Sequence, residues 1–339
     1  MEESPPVNGF WSHVMRDAAH ISEVAKFADP DRTANGERRA RVALAGLRTL
    51  WINTGSLCNI ECVNCYIESS PLNDRLVYIT AKEAARFFEE IAGASLPVRE
   101  IGFTGGEPFM NPDMLAMAED ALARGFTVLI LTNAMQPMQR PRISAGLLAL
   151  RDSYGDRLTL RVSLDHHSQI LHETERGAAT FLPTLKGIDW LAWAGFNFTL
   201  AGRTCWNESE ADARAGYAAL GAARGWRIDA YDHAQLVLFP EMDARADVPE
   251  ITEGCWDILG KRPEDVMCAS SRMVVKRKGA KAPTVLPCTL LPYDRAFEMG
   301  TTLGEAARAD GGMFEGGAVK LCHPHCAKFC VLGGGSCSA

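Results

Sequence analysis

Cys58-Asn59-Ile60-Glu61-Cys62-Val63-Asn64-Cys65 is the run from which the rest of the chain can be read. Its CxxxCxxC spacing follows an apolar stretch, Leu50 to Ile52. Three thiolates so close together can wrap one soft metal centre, as cysteine sulfur does around iron–sulfur clusters. Three is one short of a closed set. A four-iron cluster held this way keeps one iron open, as a catalytic zinc keeps an open position. A structural zinc site is the plainer alternative, but such sites pair one CxxC with a second pair. Between Cys65 and Cys205 the chain offers only His166, His167 and His172 as further soft ligands.

Outward from that run, the 339 residues suffice for one large α/β domain and a smaller module. Apolar residues at 47% support a sizeable core. A net charge of −7 gives no basic footprint for nucleic acid. No apolar run approaches a membrane span, and the acidic start, Met1-Glu2-Glu3-Ser4, is wrong for a secretory signal. Eleven cysteines in so long and core-rich a chain point to metal ligation in a reducing cytoplasm rather than to a disulfide scaffold.

Residues 1–46 read as an N-terminal helical extension, with amphipathic spacing from Phe10 to Phe27 and helix formers from Glu37 to Ala45. Leu47 to Asn53 is the first strand, and the cysteine run falls on the loop leaving it. Thr80 and Glu83 form a capping box opening a helix to Ala92. Five more strand–helix alternations follow, with strands at 98–103, 127–131, 158–164, 196–200 and 236–239. Strands alternating with helices imply parallel βαβ units, and six of them make a partial (β/α)6 TIM-like barrel over residues 47–241. Chemistry in such barrels lies at the C-terminal ends of the strands. From residue 242 to 339 helical periodicity fades and seven of the eleven cysteines appear, which marks a second, cysteine-rich module.

The cysteine run, Tyr66 after it and Gly105-Gly106-Glu107-Pro108 after the second strand together resemble the radical S-adenosylmethionine (SAM) superfamily. The resemblance implies a [4Fe–4S] cluster on Cys58, Cys62 and Cys65, whose open iron chelates SAM. It implies a SAM ammonium contact from Gly105, Gly106 and Glu107, with a charge-assisted hydrogen bond to the carboxylate. Asn133 is implied as a SAM neighbour, and Ser163 and Asp165, which share one strand face, as ribose ligands. Tyr66 is included for adenine, because Asn64 stands where the family usually carries an aromatic residue. Arg203 suits a carboxylate by its chemistry, yet a solvated loop arginine is the simpler reading. Two adjacent histidines on a strand face opposite ways, so at most one of His166 and His167 is a substrate contact.

Cys268 and Cys288, with Gly279 between, resemble the opening of the SPASM and twitch modules of that superfamily, and Cys322, Cys326, Cys330 and Cys337 their later part. The resemblance implies an auxiliary [4Fe–4S] cluster, against a zinc knuckle using His323 or His325. The function implied is reductive cleavage of SAM and hydrogen-atom abstraction from a small metabolite or a peptide. The electron would come from a flavodoxin- or ferredoxin-type donor. The rivals are a non-catalytic iron–sulfur electron carrier or sensor and, among enzymes, a ribosomal-peptide maturase.

Overall fold

The computed structural model describes residues 25–240 and 247–333. Its centre is a run of six parallel strands that pair in sequence order: β2 (Thr49–Asn53), β3 (Glu100–Thr104), β4 (Thr127–Thr132), β5 (Leu158–Ser163), β6 (Asn197–Thr204) and β7 (Leu236–Pro240). A short strand, β1 (Arg41–Val42), precedes them. Their connections carry α1 (Ala81–Gly93), α2 (Met114–Ala123), α3 (Gln136–Gln139), α4 (Pro141–Tyr154), α5 (Gln169–Arg176), α6 (Phe181–Trp193) and α7 (Glu210–Arg224). This is the partial α/β barrel that the alternation implied.

The strands read as continuous apolar runs because both faces are covered. In β2 all five residues are buried, Trp51 among them. Trp51 fits because its register partner on β3 is Gly102, where a Cβ would meet the indole at 2.4 Å. The helices cover the outer faces with apolar stripes; α1 buries Ala84, Phe87, Phe88 and Ile91. Thr80 Oγ1 accepts from Glu83 N–H while the Glu83 carboxylate accepts from Thr80 N–H, which is the capping box expected.

The same sheet continues into the C-terminal module. β8 (Ser271–Val275) pairs parallel with β2, and β9 (Thr284–Leu286) pairs antiparallel with β8, giving eight strands with β7 and β9 at the edges. A second sheet joins an early segment to a late one: β10 (Phe314–Glu315) and β11 (Ala318–Lys320) form a hairpin, and β1 pairs with β11.

The expected helix from Glu37 to Ala45 is absent; the segment is extended and carries β1. Arg39, on that segment, is buried and its guanidinium bonds Glu250 and the carbonyls of Asp29, Arg32 and Leu321. Those tertiary partners override helix propensity. The expected helix from Phe10 to Phe27 falls mostly outside the described residues, and Phe27 itself lies in a turn. In the other direction, the eight-residue helix α5, which bears on the site, was not foreseen.

Candidate active site

The loop that leaves β2 is fixed before its cysteines begin. Gly106 N–H donates to Gly55 O at 2.8 Å and Glu107 N–H to Leu57 O at 3.1 Å, so the GGEP strip runs against the loop backbone. A Cβ on Gly106 would fall 2.1 Å from the Leu57 carbonyl oxygen. Gly105 has φ +141°, and its Cβ would meet Gly55 O at 2.6 Å. Only glycine permits such an approach.

Cys58, Cys62 and Cys65 line one cavity together with Tyr66, Gly105, Gly106, Asn133, Ser163 and Asp165. These residues arrive from the C-terminal ends of β2, β3, β4 and β5, the end where barrel chemistry is expected. Arg161 lines the cavity two residues before Ser163, on the same strand face. Tyr66 Oη lies 3.5 Å from Thr104 Oγ1. Asn133 Nδ2 donates to Asn59 Oδ1 at 2.9 Å and lies 3.9 Å from Cys58 Sγ.

Glu107 is placed differently. Its carboxylate is buried, accepting from Thr132 Oγ1 (2.9 Å), Asn133 N–H (2.9 Å) and Phe109 N–H (3.2 Å). Burial nevertheless pushes its pKa up to about 7.

Burial also lifts the cysteine thiols, Cys58 to about 12 and Cys62 to about 11. Deprotonating them takes a cation, and a coordinated thiol is deprotonated outright. Among the described residues no three cysteine sulfurs lie within 4.8 Å of one another. A single zinc, with Zn–S near 2.3 Å, would draw its sulfurs to within about 3.8 Å. Three thiols on one cavity wall suit a cluster of several irons as donors. Ser69 Oγ, on the cavity wall, is buried without a hydrogen-bond partner among the described residues, so it is available to a bound ligand. The donor set and the cradle fit an iron–sulfur cluster with a polar organic ligand.

A row of charges crosses the cavity wall. Asp165 meets Arg176 Nε at 2.7 Å and Arg203 Nε at 3.5 Å, and Arg203 Nη2 meets Glu175 at 3.4 Å. Burial disfavours the Arg176 guanidinium, but the Asp165 carboxylate outweighs it and raises its pKa. Asp165 is held below the usual carboxylate range because Arg176 and Arg203 outweigh its own burial. Arg203 is therefore no solvated loop residue: it lies on β6 with its side chain 11% exposed. Arg161, Glu175 and Arg176 were not foreseen. Arg161 was legible from its alternation with Ser163, whereas α5 gave no apolar signal.

His166 and His167 lie beyond the end of β5, and their rings stack with centroids 3.9 Å apart, so strand alternation does not separate them. Ser168 N–H donates to His166 Nδ1 at 2.9 Å, which leaves the ring proton on Nε2 to donate to Glu208 at 2.9 Å. With His167 these groups offer three ligand atoms within 4.8 Å. A metal-bound histidine donates from its second nitrogen, and here that nitrogen accepts. The group is a hydrogen-bonded dyad with a stacked neighbour.

In the C-terminal module, Cys268, Cys288 and Cys326 are buried in the core cluster, and Cys326 interacts electrostatically with Cys288, Cys268 and Cys322. Arg272, fully buried, lies beside Cys268 and Cys288. Cys322 Sγ instead donates to the carbonyls of Phe27 (3.1 Å) and Asp29 (3.4 Å). Cys326 and Cys330 share a single π-helical segment, Cys326–Leu332. Cys337 lies outside the described residues. His323 and His325 pack on each other and on Phe297 and Phe329, and the histidine Nδ1 atoms are engaged with His325 N–H and Leu290 O.

Residues 52–213 match the family described as the Radical SAM superfamily. Among curated proteins the chain is similar to an AdoMet-dependent heme synthase of Methanosarcina barkeri, 31% identical over 42% of this chain and 38% of that protein. It is also similar to the mycofactocin maturase MftC of Mycobacterium ulcerans, 27% identical over 41% of this chain and 35% of that protein. The matched stretch thus spans well under half of either relative. Among solved structures, Streptococcus suis SuiB bound to S-adenosylmethionine aligns with a TM-score of 0.54 at 13% identity, covering 79% of this chain and 67% of that one. The structure described as anSMEcpe with bound AdoMet aligns at 0.55 with 14% identity, covering 78% of each chain. At these identities the likeness is one of fold.

Proposed function

We propose, from the match of residues 52–213 to the radical SAM superfamily, that this chain is an enzyme that cleaves SAM reductively at a [4Fe–4S] cluster held by Cys58, Cys62 and Cys65. Bound there, the cluster and SAM supply a 5′-deoxyadenosyl radical that takes a hydrogen atom from an unactivated substrate carbon. The observation that carries this reading is the meeting of the three cysteines with Gly105, Gly106, Ser163 and Asp165 around one cavity. The protein's task is to bind and orient.

In this reading the backbone of Gly105 and Gly106 meets the SAM ammonium, and Glu107 lends its charge while holding Thr132 and Asn133 in place. Ser163 and Asp165 take the ribose, Tyr66 borders the adenine, and Asn133 stands beside Cys58. The C-terminal module, residues 242–339 of the SPASM/twitch type, holds an auxiliary [4Fe–4S] cluster. The convergence of Cys268, Cys288 and Cys326 supports that assignment. Cys322, Cys330 and Cys337 are the candidates for its remaining ligand. The substrate is a small metabolite or a peptide; the similarities to a heme synthase and to a maturase keep both classes in the proposal. Reduction by a flavodoxin- or ferredoxin-type donor in the cytoplasm completes the proposal. No helix among the described residues is long and apolar enough to cross a membrane.

Anaerobically reconstituted, reduced protein is expected to convert SAM to 5′-deoxyadenosine and methionine, and Cys62→Ala to form neither. Wild-type turnover in that variant, read by chromatography, would remove the cluster assignment. A non-catalytic electron carrier would take up iron yet form no 5′-deoxyadenosine.

A further inference from the structure

Asn64 sits between two of the three cysteines and is held through its N–H, its carbonyl and its side-chain amide. Its N–H donates to Glu175 Oε1 and its Nδ2 to Glu175 Oε2, both at 2.9 Å. Its carbonyl accepts from Arg203 Nη2 at 3.3 Å. The preceding residue is tied to the same place, since Val63 N–H donates to the Glu175 carbonyl at 2.8 Å. Glu175 comes from α5 and Arg203 from β6, elements remote in sequence, with side chains 5% and 11% exposed.

We infer that Glu175 and Arg203 are positioning residues for the three-cysteine cluster, acting through Asn64 to set its reduction potential. The inference rests on the cluster assignment above. The desolvation cost of burying two charges can exceed what their pairing returns, so loop packing alone is a weak reason to place them here. Potentials of iron–sulfur clusters respond to nearby charge and to hydrogen bonds on the sulfurs. Glu175 acts on both. It brings an anion beside the cluster loop, and it takes up the Val63 and Asn64 N–H groups, which would otherwise be free to donate to sulfur. Ser69 N–H does donate to sulfur, at 3.4 Å from Cys65 Sγ. Arg203 supplies the opposing cation, and through Asp165 it links the loop to the cavity wall. A phenylalanine at position 64 would offer Glu175 no side-chain donor, so the side-chain half of this clamp belongs to the asparagine.

The test is a redox titration of the reconstituted full chain, followed by electron paramagnetic resonance, with iron content measured in parallel. The three-cysteine cluster is the one whose signal changes on adding SAM. Glu175→Gln removes an anion and should shift its potential upward, to less negative values. Arg203→Gln should shift it downward, and Arg203→Lys should return most of the wild-type value. Asn64→Ala removes one side-chain bond and should give a smaller shift than Glu175→Gln. Shifts of the same sign for both charge variants would overturn the inference. So would unchanged potentials, or iron loss in both with Arg203→Lys no better, which is the outcome of a merely structural role. A wild-type chain that assembles no SAM-responsive cluster would instead fail the proposed function, independently of this pair.

Discussion

Two groups of cysteines in this chain are built on opposite plans. Cys62 and Cys65 lie on a loop, partly exposed, and with the buried Cys58 they line a cavity bordered by Arg161, Asp165, Arg176 and Arg203. Cys268, Cys288 and Cys326 lie inside the apolar core, and the charged group that bears on Cys268 and Cys288 is the buried Arg272. Arg272 bonds the carbonyls of Cys268, Ser271 and Gly317, so it fastens backbone as well as facing thiols. The first plan leaves an approach for a ligand and fills its surroundings with groups that recognise one. The second encloses its sulfurs, as structural metal sites are closed and catalytic sites left open. Openness of the surrounding wall, more than ligand type, separates a site for chemistry from a site that braces a fold or relays electrons.

The sharpest way to break this comparison is to empty one site and count iron in the other. With Cys58, Cys62 and Cys65 all replaced by Ala, the protein should still bind about four irons with a cysteine-ligated spectrum. Cys288→Ala should lose roughly that number, leave the SAM-responsive cluster able to form, and make the C-terminal module sensitive to protease. An iron-free triple variant holding tight zinc in the module would show two chemistries rather than two plans.

A smaller effect separates the two by pH. Burial raises the pKa of Glu107 from 4.5 to about 7, so the native state binds its proton more tightly than the unfolded chain does. Its contribution to stability is therefore full below about 4.5, declines as pH rises, and is lost above about 7. At about 1.4 kcal/mol per unit the whole change is roughly 3 kcal/mol. Denaturation of the metal-free protein across that window should show the decline in wild type and a flatter profile in Glu107→Gln. Parallel profiles would mean that Glu107 stays ionised among its three donors.

The smallest change is a control on the fold itself. Thr80→Ala deletes half of the capping box on α1 and should cost about 1 kcal/mol of unfolding free energy. Iron content in both sites should stay at the wild-type value. Loss of iron from the rim loop alone would show that α1 helps hold that loop.

The six barrel strands were legible because each is a short apolar run between helices. α1 was legible because its cap residues and its apolar stripe agree. The site was legible in the cysteines, the glycine pair and the alternation of Ser163 with Asp165. α5 was not, because Gln169–Arg176 turns the usual pattern inside out: it buries His172 and Glu175 and leaves Ile170 78% exposed. A helix that faces a polar site with its charges has no apolar stripe to read. Glu37 to Ala45 failed for a related reason, since Arg39 spends its side chain on carbonyls far away in sequence.

The pairing of β2 with β8 also sets when the first barrel strand loses its open edge. β2 is the first strand of the barrel made, and its second edge is covered only when Ser271 comes to lie beside Thr49. Until then an apolar strand bearing the metal loop keeps an open row of backbone donors and acceptors, the kind of edge that other chains pair with. Long-range pairing of this sort is slow. The barrel is thus closed off last along the strand that leads into its chemistry, and a nascent chain stalled before β8 would carry its most reactive loop on its stickiest edge.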